Sequence, residues 1–167
     1  MTTDEYGVPL FIFGNHQPDF FPMLGRLIAL ASVVERDART LAARLAPDAK
    51  ALRRSQLEPV LTAICDKLAR VPEADRAATG GYVEKVSKVG KRRNDYAHSL
   101  WPSLSPIYGA NVVGWRQEPW SAELRVGKDL ETMRDDVTYF SDVVTQWNDQ
   151  IVHIYNRIRA VAQEPAR

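Results

Sequence analysis

The sequence predicts a mainly α-helical protein: a bundle of about four main helices with a small β-hairpin inserted before a long C-terminal helix. Three observations carry this. Apolar residues recur in alternating steps of three and four from Leu130 to Val161. The same spacing runs from Leu24 to Leu45. Between residues 107 and 126 the composition shifts to β-branched and aromatic residues broken by Pro119.

Taken in order, residues 1–21 read as an N-terminal arm. Val8 to Phe13 is apolar enough for a short strand or a packed segment, and Gly14 to Pro18 reads as a turn. Pro22 suits the start of a first helix over about 22–46. Leu24, Leu27, Ile28, Ala31, Val34, Ala38, Leu41 and Leu45 are its apolar side. A second helix is expected over about 48–69, with Leu52, Leu57, Leu61, Ile64 and Leu68 inward. Pro59 inside it implies a kink or a fresh start. Gly80-Gly81 bounds a connector. A third helix over about 81–99 buries Val83, Val86 and Val89, and Trp101-Pro102 stops it. Gly90 costs that helix up to about 1 kcal/mol relative to Ala, a cost that close approach of another backbone would explain. Residues 107–115 and 120–126, around a turn at 117–119, form the expected hairpin. The last helix, about 129–163, carries Leu130, Met133, Val137, Phe140, Val144, Trp147, Ile151, Ile154, Ile158 and Val161 as a heptad seam. At 1.5 Å per residue it would be on the order of 50 Å long. It must bend, cross the whole bundle or reach a second subunit.

At 167 residues the chain reads as one domain, 1–167, large enough for a core without disulfides. Lys+Arg total 22 and Asp+Glu 21, a formal net charge of +1, so nucleic-acid affinity would have to come from a local patch. The single cysteine, Cys65, forms no internal disulfide and reads as a small core residue. With no signal-peptide pattern and no long apolar run, the expectation is a cytoplasmic protein that does not enter the membrane. Three scattered histidines make no metal site. His16 reads as a turn residue, and His153 faces away from the heptad seam. No cofactor-binding loop is recognisable. Tyr108, Trp115 and Trp120 are candidates to stack bases or to pin the hairpin to the helices.

One stretch concentrates chemistry: Lys91-Arg92-Arg93-Asn94-Asp95-Tyr96-Ala97-His98-Ser99. On a helix, Asn94 and His98 share a face. Arg93 lies about 140° from His98 but is long enough to swing towards it. Histidine is the natural proton-transfer group near neutral pH, and arginine forks onto phosphate oxygens. The same residues also suit a helix C-terminus, where cations meet the dipole with no further role.

Arg93-Asn94-Asp95-Tyr96-Ala97-His98 resembles the Arg-x4-6-His signature of HEPN domains. The resemblance implies an α-helical bundle, a homodimer, and metal-independent RNA cleavage of the kind found in toxin–antitoxin and anti-phage systems. It assigns proton transfer to His98, phosphate binding to Arg93 and orientation to Asn94, with Asp95 and Ser99 as helpers. Lys88, Lys91 and Arg92 would bind substrate. Two copies of the motif would face each other across the dimer, and a protein regulator or antitoxin is an expected partner. Some family members carry a tyrosine two residues after the histidine. Leu100 stands there in this chain, so modification of that tyrosine does not carry over. Other members have lost catalysis, so the alternative is a non-catalytic dimeric module binding a protein or nucleic acid.

Overall fold

In a computed structural model the described residues are Thr3, Gly7, 19–47, 55–98, 115–117, 124–126 and 129–161. They are mainly helical: α1 (Phe20–Leu45), α2 (Leu57–Asp66), a 3-10 turn (Leu68–Arg70), α3 (Glu73–His98), strands β1 (Trp115–Gln117) and β2 (Leu124–Val126), α4 (Leu130–Gln146), a wide π-helical turn (Trp147–Ile151) and α5 (Val152–Val161). The two strands pair antiparallel, Trp115 opposite Val126 and Gln117 opposite Leu124. The rest of 107–126, the Val8–Phe13 segment, His16 and Trp101-Pro102 lie outside the described residues.

Two expected boundaries move for the same reason. Pro22 and Pro59 each stand third in their helices, because α1 begins at Phe20 and α2 at Leu57. A first-turn residue has no intrahelical acceptor for its N–H, so proline's missing donor is harmless there. α2 is therefore a fresh start rather than a kinked helix from residue 48. α3 begins eight residues before the expected position, at Glu73, and runs straight through Gly80-Gly81. Glu73 and Asp75 in its first turn suit the positive end of the dipole. Buried Thr79, Tyr82 and Val83 hold the glycine pair in helix.

The chain divides into two compact units, Met1–Ile28 with Arg92–Thr138, and Ala29–Lys91 with Tyr139–Arg167. In the second unit the core is built from Val34, Ala38, Leu41 and Leu45 of α1, Val60 and Ile64 of α2, Tyr82, Val86 and Val89 of α3, and Phe140, Trp147, Ile151 and Ile154. Full burial of a large apolar side chain stabilises by about 1.5–3 kcal/mol. Arg70 Nη1 donates to the Leu45 carbonyl at 2.7 Å, satisfying one acceptor that the end of α1 leaves open. Arg157 forks onto Asp75 at 2.6 and 3.0 Å. Asp37, buried in this unit, accepts from its neighbour Arg36 at 2.8 and 2.9 Å. Its other oxygen and the Tyr82 hydroxyl are buried without a hydrogen-bond partner among the described residues. Burial first, and then the Asp37 charge, push the Tyr82 hydroxyl pKa up.

Three details correct the sequence reading. The C-terminal helix is not one uninterrupted α-helix. The Val152 amide donates five residues back to the Trp147 carbonyl, opening one wide turn between two α segments. Trp147 and Ile151 bracket that turn and are both buried, Trp147 lying 5.9 Å from the Tyr82 ring. The buried stripe there includes Asp136 and Val143, while Val137 and Val144 are only half-buried. Cys65 is exposed: it follows buried Ile64 by one residue, about 100° round the helix.

Gly90 is crowded by a side chain, not by a backbone. A Cβ built there would lie 2.6 Å from Leu57 Cδ2. Alanine's better helix propensity, about 1 kcal/mol, is thus set against displacement of a leucine tip. Gly90→Ala is expected to fall within about 1 kcal/mol of the parent in urea unfolding. In a Leu57→Ala background the same change should stabilise by about 1 kcal/mol. No difference between the two backgrounds would mean that Leu57 does not set the requirement.

In the first unit, α1 contributes buried Phe20, Met23 and Leu27, α3 contributes Tyr96, and α4 contributes Met133 and Asp136. α4 starts on a built cap: Asp129 Oδ1 accepts from the Thr132 amide at 2.7 Å. The Asp129 carboxyl is held below its ordinary value of 3.8, chiefly by hydrogen bonding with Thr132. A depressed folded pKa stabilises above the unfolded value. That stabilisation is lost as pH falls through the folded value. Asp129→Ala should cost about 1 kcal/mol at neutral pH. In urea unfolding the gap between parent and variant should close on acidification below about pH 4. A gap that stays constant down to strong acid would rule out the cap's ionisation as its source.

Candidate functional site

The motif occupies the end of α3, and Arg92 to His98 all fall in the first unit. Its arrangement is set from the buried side. Asp136 is 2 % exposed. Its Oδ1 accepts from Arg92 Nη1 at 2.6 Å, and its Oδ2 accepts from the Tyr96 hydroxyl at 2.6 Å. Arg92 and Tyr96 are one turn apart on one face of α3, so a single carboxylate engages both. Tyr96 is fully buried. Burial, then the hydrogen bond to Asp136, raise its pKa well above the ordinary tyrosine value, so it stays a donor.

With that face turned inward, the others turn out. Asn94 and Ala97 are exposed, and Arg93 and Asp95 are half-buried. Arg93 Nη1 donates to Asn94 Oδ1 at 3.0 Å. That bond sets the Asn94 amide with its oxygen towards the guanidinium and its two N–H donors available on the other side. His98 is the last residue of α3, one turn beyond Asn94 and on the same side by helical geometry. Arg93 and Asn94 are thus brought together directly, and α3 ends four residues after Asn94, at His98. Ser99 lies outside the described residues.

Lys88 and Lys91 are exposed further back along α3. Arg92, assigned to substrate by the sequence, has Nη1 on Asp136, with 37 % of its side chain still exposed. His153 is exposed. Among the described residues no group of three His, Cys, Asp or Glu side chains could hold a metal ion, and no helix is long and apolar enough to cross a membrane.

The residue that sequence reasoning missed is Asp136. Its partners are 40 and 44 positions away, so no local spacing announces it. The available signal was an acidic residue on the inward side of α4, between Met133 and Phe140.

The comparisons with known proteins add no relative. No family model matches the chain, and no curated protein and no solved structure matches it significantly. The chemistry of the site therefore rests on its own residues.

Proposed function

We propose that this chain is a HEPN-like, metal-independent endoribonuclease that works as a homodimer in the cytoplasm, in a toxin–antitoxin or anti-phage setting. The observation that carries the reading is the hydrogen-bonded Arg93–Asn94 pair on the outward side of α3, one turn before His98. These are a phosphate-binding cation, an orienting amide and a proton-transfer group on one short stretch of helix.

In the proposed reaction, His98 takes the proton from a ribose 2′-hydroxyl. The 2′-oxygen attacks the adjacent phosphorus, and the bond from phosphorus to the 5′-oxygen breaks. A second acid protonates the leaving oxygen. The products are a 2′,3′-cyclic phosphate and a 5′-hydroxyl. Arg93 binds the phosphate and meets the negative charge as it builds. Asn94 orients the phosphate or the imidazole. Exposed Lys88 and Lys91 attract the RNA backbone. Asp95 and Ser99 assist. A second copy supplies the facing half of the cleft, and a protein antitoxin or regulator would silence it.

The test is cleavage of total tRNA and a structured mRNA by purified protein with chelator present, beside His98→Ala and Arg93→Ala. Chelator-resistant cutting by the parent alone, leaving cyclic-phosphate ends, supports the reading. Cutting that chelator abolishes, or that either variant retains in full, ends it. A clean dimer that cuts nothing, yet captures a protein or nucleic acid as well as its His98→Ala variant does, selects the non-catalytic module instead.

A further inference from the structure

Asp136 takes no direct part in the reaction proposed above, yet it is buried and accepts a hydrogen bond on each carboxylate oxygen. We infer that Asp136 is a positioning residue: through Arg92 and Tyr96 it fixes the rotation and rise of the last two turns of α3, and so sets where Arg93, Asn94 and His98 meet an RNA phosphate. The inference rests on the ribonuclease reading for its catalytic meaning.

Three features support it. The first is geometric. Arg92 and Tyr96 are separated by about 6 Å of helical rise, and each donates to a different oxygen of one carboxylate at 2.6 Å. Sliding α3 by one residue would rotate the donors by about 100° and break both bonds. The pair therefore specifies one register.

The second is chemical. Met133 and Phe140, fully buried, flank Asp136 on α4. An apolar residue would fill that stripe without the desolvation penalty of a buried carboxylate. A carboxylate with two strong donors is directional where an apolar contact is not. Tyr96 stays protonated and so keeps its hydroxyl as a donor.

The third is continuity. Asp136 lies two turns from Asp129, whose cap fixes the start of α4. The path runs from the cap to the buried carboxylate, from there to α3, and out to Arg93 and Asn94 on its other side. The anchoring atoms point inward, so their loss should move the chemical step more than the binding of substrate.

The experiment uses the full chain and a fluorescent single-stranded RNA, with Tyr96→Phe and Asp136→Asn. Tyr96→Phe keeps the ring and removes only the hydroxyl. Both variants are expected to lose kcat about 10- to 100-fold with KM within about twofold, the mark of a displaced rather than deleted group. Lys91→Ala should do the reverse and raise KM. Amide spectra of residues 93–98 are recorded alongside. They should shift in both variants while signals of the second unit stay in place. Folded variants with the parent's kcat overturn the proposal. If the parent itself cuts no RNA, the ribonuclease reading fails separately, and the spectra then decide. Unmoved amides at 93–98 overturn positioning as well, whereas displaced amides retain it.

Discussion

Arg93→Ala is expected to slow chelator-resistant RNA cleavage about 10²- to 10³-fold, and His98→Ala about 10²- to 10⁴-fold, with both proteins folded. The first figure is what loss of one fixed donor to a developing anion removes, about 3–4 kcal/mol of transition-state stabilisation. The second is the usual worth of a positioned proton-transfer group. Folding should be nearly untouched in Arg93→Ala, because Arg93 is only half-buried and its hydrogen-bond partner Asn94 is exposed. Surface substitutions of this kind stay within about 0.5 kcal/mol. Arg93→Lys separates charge from shape. A lysine keeps the cation but cannot fork onto two phosphate oxygens, so an intermediate rate is expected. A lysine variant as fast as the parent would reduce Arg93 to a point charge. An alanine variant as fast as the parent would remove it from the site altogether. The decisive comparison is single-turnover cleavage under chelator, which isolates chemistry from release of product.

What the sequence made legible follows from what is local. Leu27, Ala31, Val34, Ala38, Leu41 and Leu45 of the α1 repeat and the Val83, Val86, Val89 series are buried, because helical periodicity is a property of a short window, while Leu24 and Ile28 are half-buried. Arg93, Asn94 and His98 are legible together for the same reason: six residues on one helix fix their angular relations. Punctuation proved weaker than packing. Gly80-Gly81 reads as a break, yet the helix passes through it because Thr79, Tyr82 and Val83 are buried around it. Proline marks a beginning rather than an interruption at Pro22 and Pro59. The wide turn at Trp147 has no counterpart in the apolar spacing, since a 3,4 alternation passes across it unchanged. Asp136 was invisible for a different reason. Its role exists only once α4 and the end of α3 lie side by side, and its partners are remote in sequence. The same tertiary contact adds to Arg92, a candidate substrate contact, a bond to a buried carboxylate that no local spacing announces.

The Asp136 carboxylate makes the sharpest stability prediction. Asp136→Ala is expected to destabilise the protein by about 4–6 kcal/mol in urea unfolding, with the slope unchanged. Removing one member of a buried ion pair typically costs about 3–5 kcal/mol, because the other charge stays behind. Here the lower end applies: 37 % of the Arg92 side chain is exposed, so water can recover part of its hydration. The Tyr96 hydroxyl adds about 1–3 kcal/mol of its own when its buried partner is lost. Tyr96→Phe, which leaves the ion pair in place, should cost less, about 1.5–3 kcal/mol. The combined change Arg92→Met, Tyr96→Phe and Asp136→Leu should recover most of the loss, because the buried carboxylate and both of these donors are then removed together. If stability were the purpose of the cluster, that triple variant would be the weakest of the set. If the cluster exists to aim the end of α3, the triple variant should be as stable as the parent within about 1 kcal/mol and still give broadened amide signals at 93–98. An Asp136→Ala protein within about 0.5 kcal/mol of the parent would show instead that the carboxylate is not held as the 2.6 Å bonds describe. Stability and orientation are separable here because apolar packing can supply the first without specifying the second, whereas a directional group such as the Asp136 carboxylate specifies both.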